Sequence, residues 1–324
     1  MNQNVPYIIA NHQDERVGFT PPTGLNYTLA SDREKLFFKG CDELSKRAYE
    51  KAEATFTQLT HRYTDFLDSR YILGALKLRK GNWQQAQYIF LPLTGRSYFI
   101  SYWIFRFLPD FRLVLNVNPV FWLPILPRSE EISIAVAHIR KQLGDDDACL
   151  AIARKALKKY PSNLSVRVYL ASLLIERDNY DETVKLLNMT LKRRGDDIAT
   201  TFRFLRGLAM MRFNDIRTGF YQMESALDFA FNTSPYLQEN IRFRMIEELI
   251  ANRYYKDAIN CLDDLTPSVA TVLPNDFNHK EIRDQLIDKV KTLTERGVDV
   301  KMSLHGYKKP SRDEEDFWEV ETNR

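Results

Sequence analysis

The hydrophobic pattern of this chain is organised by a repeat of 34 residues. Small and bulky apolar residues return at that spacing in the first third of the sequence. A period of this length predicts pairs of helices that stack on one another, so we expect an array of helical hairpins. Three pairs of residues share the offset: Gly40 with Gly74, Ala52 with Ala86, and Phe56 with Phe90.

The types of residue in this pattern fit the packing of two helices within one hairpin. A hairpin cannot bury its apolar stripes alone, so the neighbouring hairpins must cover them. A small residue in each helix lets the two backbones approach closely, and an aromatic residue, Tyr49 or Trp83, fills the gap toward the next hairpin. Further copies of the pattern start at Glu130, Leu164, Thr200 and Glu239.

These residues resemble the tetratricopeptide repeat family, in which slots 8 and 20 hold small residues, slot 17 an aromatic residue and slot 24 a bulky one. The resemblance covers residues 33–100, as repeats 1 and 2, and residues 130–267, as repeats 3 to 6. It implies an all-α, right-handed superhelical solenoid of helix-turn-helix repeats. It also implies a non-enzymatic scaffold, adaptor or chaperone, in which the first helix of each repeat lines a concave groove.

The groove slots of this sequence are mostly apolar, which favours a partner that docks as a helix or as an extended apolar segment. Related domains that capture an acidic C-terminus carry lysine and asparagine at these slots, and this sequence departs from that pattern. The candidate groove residues are Phe37, Tyr71, Leu78, Ile134, His138, Val168, Ile175, Phe204, Leu208, Met211, Phe243 and Glu247.

Four arginines recur at slot 4, which is usually bulky and apolar in the family. One explanation is that the groove register is shifted by one residue, so that part of this face belongs to the core. The other is that the arginines form a ladder that contacts an acidic partner. The four residues are Arg70, Arg167, Arg203 and Arg242.

An aromatic segment interrupts the array at residues 101–129. Between residues 98 and 127 it has four prolines, which would break a transmembrane hairpin, and three charged residues. The segment is either a degenerate repeat buried between its neighbours or an apolar insertion that contacts a partner or a membrane surface. The candidate patch consists of Trp103, Phe107, Phe111, Phe121 and Trp122.

The flanking regions do not follow the repeat. Residues 1–32 form an extended arm, and Ser31 or Asp32 is expected to cap the first helix. Residues 274–297 predict a charged capping helix that starts after Asp276. The tail, residues 298–324, has six carboxylates among residues 311–324 and is either a disordered acidic end or a short docking motif.

Composition and motifs argue against an enzyme and against nucleic acid. The net charge is only +3, and the three cysteines are widely spaced, which fits a reducing, cytoplasmic compartment. No phosphate-binding loop, metal motif or nucleophile motif occurs, so we expect no cofactor and no metal site. The aspartates at residues 145–147, and the basic pairs Arg154–Lys155 and Lys158–Lys159, are interpreted as complements to helix dipoles.

The sequence therefore favours a cytoplasmic adaptor that binds a protein or peptide partner in an apolar groove. The first alternative is a membrane-peripheral assembly factor of a secretion or envelope machine, anchored by residues 98–127. The second is an RNA-binding helical repeat protein, which is disfavoured because no continuous basic stripe with stacking aromatics is present. Self-association stays open.

Overall fold

The computed structural model confirms the predicted all-α architecture of helical hairpins and adds a small sheet. It describes residues 7–9, 19–22, 29–94, 102–109, 111–118, 121–189, 197–213, 215–233, 235–265, 278–297 and 303–304. The helices are α1 (Asp32–Ser45), α2 (Tyr49–Arg62), α3 (Leu67–Arg79), α4 (Trp83–Thr94), α5 (Tyr102–Phe107), α6 (Ser129–Gln142), α7 (Asp146–Lys159), α8 (Leu164–Glu176), α9 (Tyr180–Leu186), α10 (Asp197–Arg212), α11 (Ile216–Thr233), α12 (Pro235–Ala251), α13 (Tyr255–Asp263) and α14 (His279–Glu295). The strands are β1 (Tyr7–Ile9), β2 (Arg112–Asn118) and β3 (Phe121–Ile125).

The turns within the hairpins follow the same repeat as the sequence. Helix α1 packs on α2, α3 on α4, α6 on α7, α10 on α11 and α12 on α13. Where the turn is described, it contains one residue in the left-handed backbone region, which favours glycine because glycine has no Cβ. Gly81 lies 34 residues after Arg47, and Asp178 lies 34 residues after Gly144. Arg253 takes the same place between α12 and α13, with φ of 67°.

Small residues allow close contact within the hairpins, as the sequence predicts. A Cβ atom placed on Gly40 would lie 2.7 Å from Cζ of Phe56, and the equivalent pair one repeat later has the same contact. Between α10 and α11 the approach involves the backbone itself, because a Cβ atom on Gly207 would lie 2.7 Å from the carbonyl oxygen of Gly219. A side chain at Gly207 would push α10 and α11 apart, whereas one at Gly40 would displace the Phe56 ring.

The chain divides into two compact units. The first comprises residues 1–117 and 122–169, and the second residues 118–121 and 170–324, so the division falls within α8. In the first unit α4 packs directly against α6, although residues 95–128 lie between them in the sequence. Within that segment the described residues form α5, β2 and β3. The segment is therefore an insertion beside the hairpins, and the prediction of a degenerate repeat between its neighbours is wrong.

A three-stranded sheet, absent from the sequence prediction, belongs to this insertion. The strand order is β1-β2-β3, and β1 comes from the N-terminal arm. Strand β1 runs antiparallel to β2, with Tyr7 opposite Val114 and Ile9 opposite Arg112, and it contacts α3. The arm is therefore extended, as expected, but it pairs with the insertion.

Several helices begin with a side chain that accepts a backbone N–H, among them α1, α7, α9 and α14. Ser31 caps α1 as predicted: its hydroxyl accepts the N–H of Glu34 at 3.4 Å, while its own N–H donates to the Glu34 carboxylate at 2.6 Å. Asp145 caps α7 by accepting the N–H of Ala148 at 3.1 Å, and Asp146 and Asp147 lie in the first turn, where carboxylates complement the helix dipole. Asn278 caps α14; the expected cap, Asp276, lies outside the described residues.

In the second unit, residues 303–304 contact α13. The Asp257 side chain, at the start of that helix, is fully buried. Its carboxylate accepts a hydrogen bond from the hydroxyl of Ser303, and its second oxygen accepts the N–H of Leu304 at 2.8 Å. The equivalent positions in α2 and α4, Lys51 and Gln85, are exposed. Asp257 is thus buried because residues 303–304 cover it.

Candidate functional site

Most of the residues predicted to line an open groove lie in the core. Only Phe243, which is half-buried, and Glu247, whose side chain is 42% exposed, remain accessible. The expectation of a continuous apolar groove along these slots is therefore wrong, and the alternative that part of this face belongs to the core applies. The buried residues are Phe37, Tyr71, Leu78, Ile134, His138, Val168, Ile175, Phe204, Leu208 and Met211.

In the first two hairpins, aromatic residues of the insertion cover the predicted groove. The Phe37 ring meets the Trp103 ring edge-on at a centroid distance of 5.7 Å, and Phe66 packs against the same tryptophan at 5.8 Å. The neighbouring Phe38 ring lies 4.9 Å from that of Phe107. Such edge-to-face contacts are favourable arrangements of buried rings, so helix α5 is firmly seated on α1.

One carboxylate fixes the start of α5. Oδ1 of Asp68, in α3, accepts the backbone N–H groups of Trp103 at 3.0 Å and of Ile104 at 3.2 Å. The first N–H groups of a helix have no acceptor within the helix and carry partial positive charge. A carboxylate there accepts their hydrogen bonds and offsets that charge. Asp68 is only 7% exposed, which makes this contact part of the interior.

Tyr71 makes the second polar contact to the insertion. Its hydroxyl donates a hydrogen bond to the carbonyl oxygen of Ile125, at the end of β3. Its ring packs edge-on against the rings of Phe90, in α4, and Phe111, and the distance between ring centroids is 6.0 Å in each pair. A residue expected to meet a partner therefore meets the chain's own inserted segment.

The proposed membrane patch is largely part of this interior. Phe107 and Phe111 are buried and Trp103 is half-buried, so these three residues do not form an exposed apolar surface. The side chains of Phe121 and Trp122 lie outside the described residues. No helix within the described ranges has the length and apolarity that crossing a bilayer requires.

His138 is a packed, neutral histidine. Its ring lies between those of Trp83 and Tyr169, with centroid distances of 6.2 and 6.4 Å. Burial, with a smaller contribution from the charge of Lys141, lowers the pKa of His138 to about 3. Nε2 lies 3.3 Å from the amide nitrogen of Gln142, and Nδ1 has no hydrogen-bond partner within the described residues. This environment holds the ring uncharged and away from solvent.

The four slot-4 arginines do not form a ladder of free cations. Three of them donate to a backbone carbonyl just after the end of a second helix, where the last carbonyls have no helical partner. The fourth, Arg203, has its guanidinium 4.0 Å from the centre of the Phe229 ring. The three donors and acceptors are Arg70 to Thr64 at 3.2 Å, Arg167 to Pro161 at 2.8 Å, and Arg242 to Asp264 at 2.7 Å.

The cysteines are placed for packing. All three are buried, and none forms a disulfide. Burial, together with the charge of Asp68, raises the pKa of Cys41, and burial with neighbouring carboxylates, Asp257 first, raises the pKa of Cys261 to about 12. Thiols with raised pKa values are poor nucleophiles. Among the described residues, no group of three or more His, Cys, Asp or Glu side chains could hold a metal ion.

No family model and no curated protein matches this chain. Among solved structures, a tetratricopeptide repeat protein from Parabacteroides merdae is similar at 13% identity, with a TM-score of 0.44, over 79% of this chain and 98% of that one. The TPR2AB domain of yeast Sti1, in complex with pHSP90, is similar at 14% identity, with a TM-score of 0.28, over 80% of this chain and 98% of that one.

The chain resembles tetratricopeptide repeat proteins, as its sequence indicated. The evidence for this resemblance is the geometry of the hairpins in this chain. Their glycines face bulky side chains at the repeated positions, and their turn residues are 34 positions apart. The residues that sequence reasoning missed are Asp68 and Asp257, both buried carboxylates that accept backbone N–H groups from distant segments. No local motif marks them, because their partners lie 35 and 47 residues away.

Proposed function

We propose that this protein is a non-enzymatic adaptor that binds a partner polypeptide on the first helices of its hairpins. One observation supports the proposal. The first helices of repeats 1 and 2 already bind a segment of this chain. The Asp68 carboxylate of α3 accepts N–H groups at the start of α5, and the Tyr71 hydroxyl donates to the end of β3. The same kind of surface suits a helical or extended partner segment. Three cysteines without a disulfide are consistent with a protein of a reducing, cytoplasmic compartment.

The proposed partner site lies on α12. Phe243 and Glu247 are the two candidate groove residues that stay accessible. The Arg244 guanidinium lies 5.7 Å from the centre of the Phe243 ring and pairs with the Glu247 carboxylate at 2.6 Å. An accessible aromatic ring beside arginine is the composition typical of binding hot spots. The partner would bury the Phe243 ring and exchange the Arg244–Glu247 pair for its own polar groups.

The test is affinity purification from the native host with the wild type and a Phe243→Ala/Glu247→Ala variant, read by mass spectrometry. We expect one protein to be lost from the variant while circular dichroism stays unchanged, because neither side chain is buried. Leu91→Ala, which removes another exposed apolar side chain, is the matched control. Retention of every partner by the double variant would overturn the proposed site on α12.

A further inference from the structure

The outer face of α7 has the densest exposed positive charge on any one described helix. Arg154, Lys155, Lys158 and Lys159 are all exposed and lie within six consecutive positions of that helix. Residues three or four apart are neighbours on a helix surface. Four cations are therefore held together on about two turns of one helix.

The helix dipole accounts for only part of this charge. Favourable interaction with the negative end of a helix is limited to its last turn, and in α7 that turn contains Lys158 and Lys159. Arg154 and Lys155 lie a turn earlier and face those lysines at spacings of three and four, where like charges destabilise a helix. The arrangement thus lowers the stability of α7 beyond what dipole complementation explains.

Two other second helices contain charges of both signs. In α9, Lys185 pairs with Asp181 at 2.6 Å, and Glu53 of α2, which also contains Lys51, pairs with Lys77 of α3 at 2.7 Å. The acidic residues of α7 are confined to its first turn. Lys155 has no ion pair or hydrogen bond within the described part of the chain, so its charge is available to another molecule.

We propose that this face of α7 docks an acidic polypeptide segment. A lipid surface fits less well, because interfacial helices insert large apolar side chains and none of the large exposed apolar residues of the described chain lies on α7. Nucleic acid also fits less well. Six helical positions span roughly 9 Å, room for only a few phosphates. Clustered carboxylates on a peptide match both the length and the sign of this face.

The decisive variant is Lys155→Glu, because binding and stability should change in opposite directions. The new carboxylate would sit three and four positions before Lys158 and Lys159, the favourable order for helical ion pairs. We expect the melting temperature to rise by about 1–2 °C. Binding of a fluorescein-labelled octaglutamate peptide, measured by anisotropy at low salt, should weaken about tenfold as one attraction becomes a repulsion.

Lys51→Glu on α2 is the matched control, since it makes the same charge change at another exposed position. We expect it to leave octaglutamate binding within about twofold of the wild type, because distant exposed charges are screened by salt. Equal weakening by both variants, or no salt-sensitive binding of octaglutamate, would overturn the proposal. Binding of phosphatidylserine vesicles or of an RNA oligonucleotide in place of the peptide would overturn it too. None of these results bears on Phe243, which tests the proposed function separately.

Discussion

The same repeat slots have different surroundings in the first hairpins and in α12. Phe37 and Tyr71 are fully buried under the insertion, whereas Phe243, at the corresponding slot of the last repeat, is only half-buried. The helices themselves are alike, so the difference comes from what covers them. A repeat pattern therefore defines which residues share a face, and the rest of the chain decides whether that face is core or surface.

Removing the covered tyrosine should have the largest effect on this comparison. Tyr71→Ala deletes a fully buried ring and its hydrogen bond to Ile125, so we expect the free energy of unfolding to fall by about 3–5 kcal/mol. Phe243→Ala, at the same slot of α12, should cost less than about 1.5 kcal/mol because its ring is partly solvated. Urea unfolding measures both values. Equal losses would mean that the two faces are equally buried.

Removing the cap on α5 should have the next largest effect. Asp68→Ala leaves the N–H groups of Trp103 and Ile104 without an acceptor, so we expect a loss of about 2 kcal/mol and faster amide hydrogen exchange in α5. Asp68→Asn keeps a side-chain oxygen at the cap and should lose less. Unchanged exchange rates in α5 for Asp68→Ala would contradict the role assigned to this carboxylate.

The buried and accessible slots also differ in their expected response to pH. His138 occupies the slot that Glu247 fills in the last repeat. The unfolded chain binds a proton at histidine near pH 6.5, and the folded chain binds it at His138 only near pH 3. Stability is therefore complete above pH 6.5 and falls as the pH is lowered toward 3, by about 1.5 kcal/mol between pH 6.5 and 5.

The measurement for this pH effect is the unfolding free energy of wild type and His138→Phe at both pH values. The phenylalanine keeps a flat ring between Trp83 and Tyr169 but has no group to titrate. Between pH 6.5 and 5, we expect the unfolding free energy of the variant to fall by about 1.5 kcal/mol less than that of the wild type. A wild-type slope that persists in the variant would place the titrating group elsewhere.

The smallest expected effect concerns the turns, which the two units share. Arg253 adopts a left-handed backbone conformation at the place where Gly144 lies in the first unit. Arg253→Gly should raise stability by about 0.5–1 kcal/mol, and Gly144→Ala should lower it by about 1 kcal/mol, although a Cβ there would meet no atom within 4 Å. Chemical unfolding measures both changes. Changes in unfolding free energy of opposite sign would confirm that the two turns are equivalent.

The hairpins were predictable from sequence because their signals are local. Gly40 and Phe56 meet within one hairpin, and the Ser31 cap lies three residues from its partner. The sheet was not predictable in the same way. Short apolar runs such as β2 and β3 fit a strand or a buried helix equally well, and β1 pairs with residues about a hundred positions later. Burial of Phe37 and Tyr71 depended on that unpredicted sheet and on α5.

The return of residues 303–304 to α13 has a consequence for synthesis of the chain. Asp257 emerges from the ribosome 46 residues before Ser303, and its carboxylate is buried only after both segments exist. A chain that stops before Ser303 would leave α13 with an uncovered carboxylate and without Leu304 against the core. The last hairpin would then be the least stable part of a truncated product and the first to be recognised by proteases.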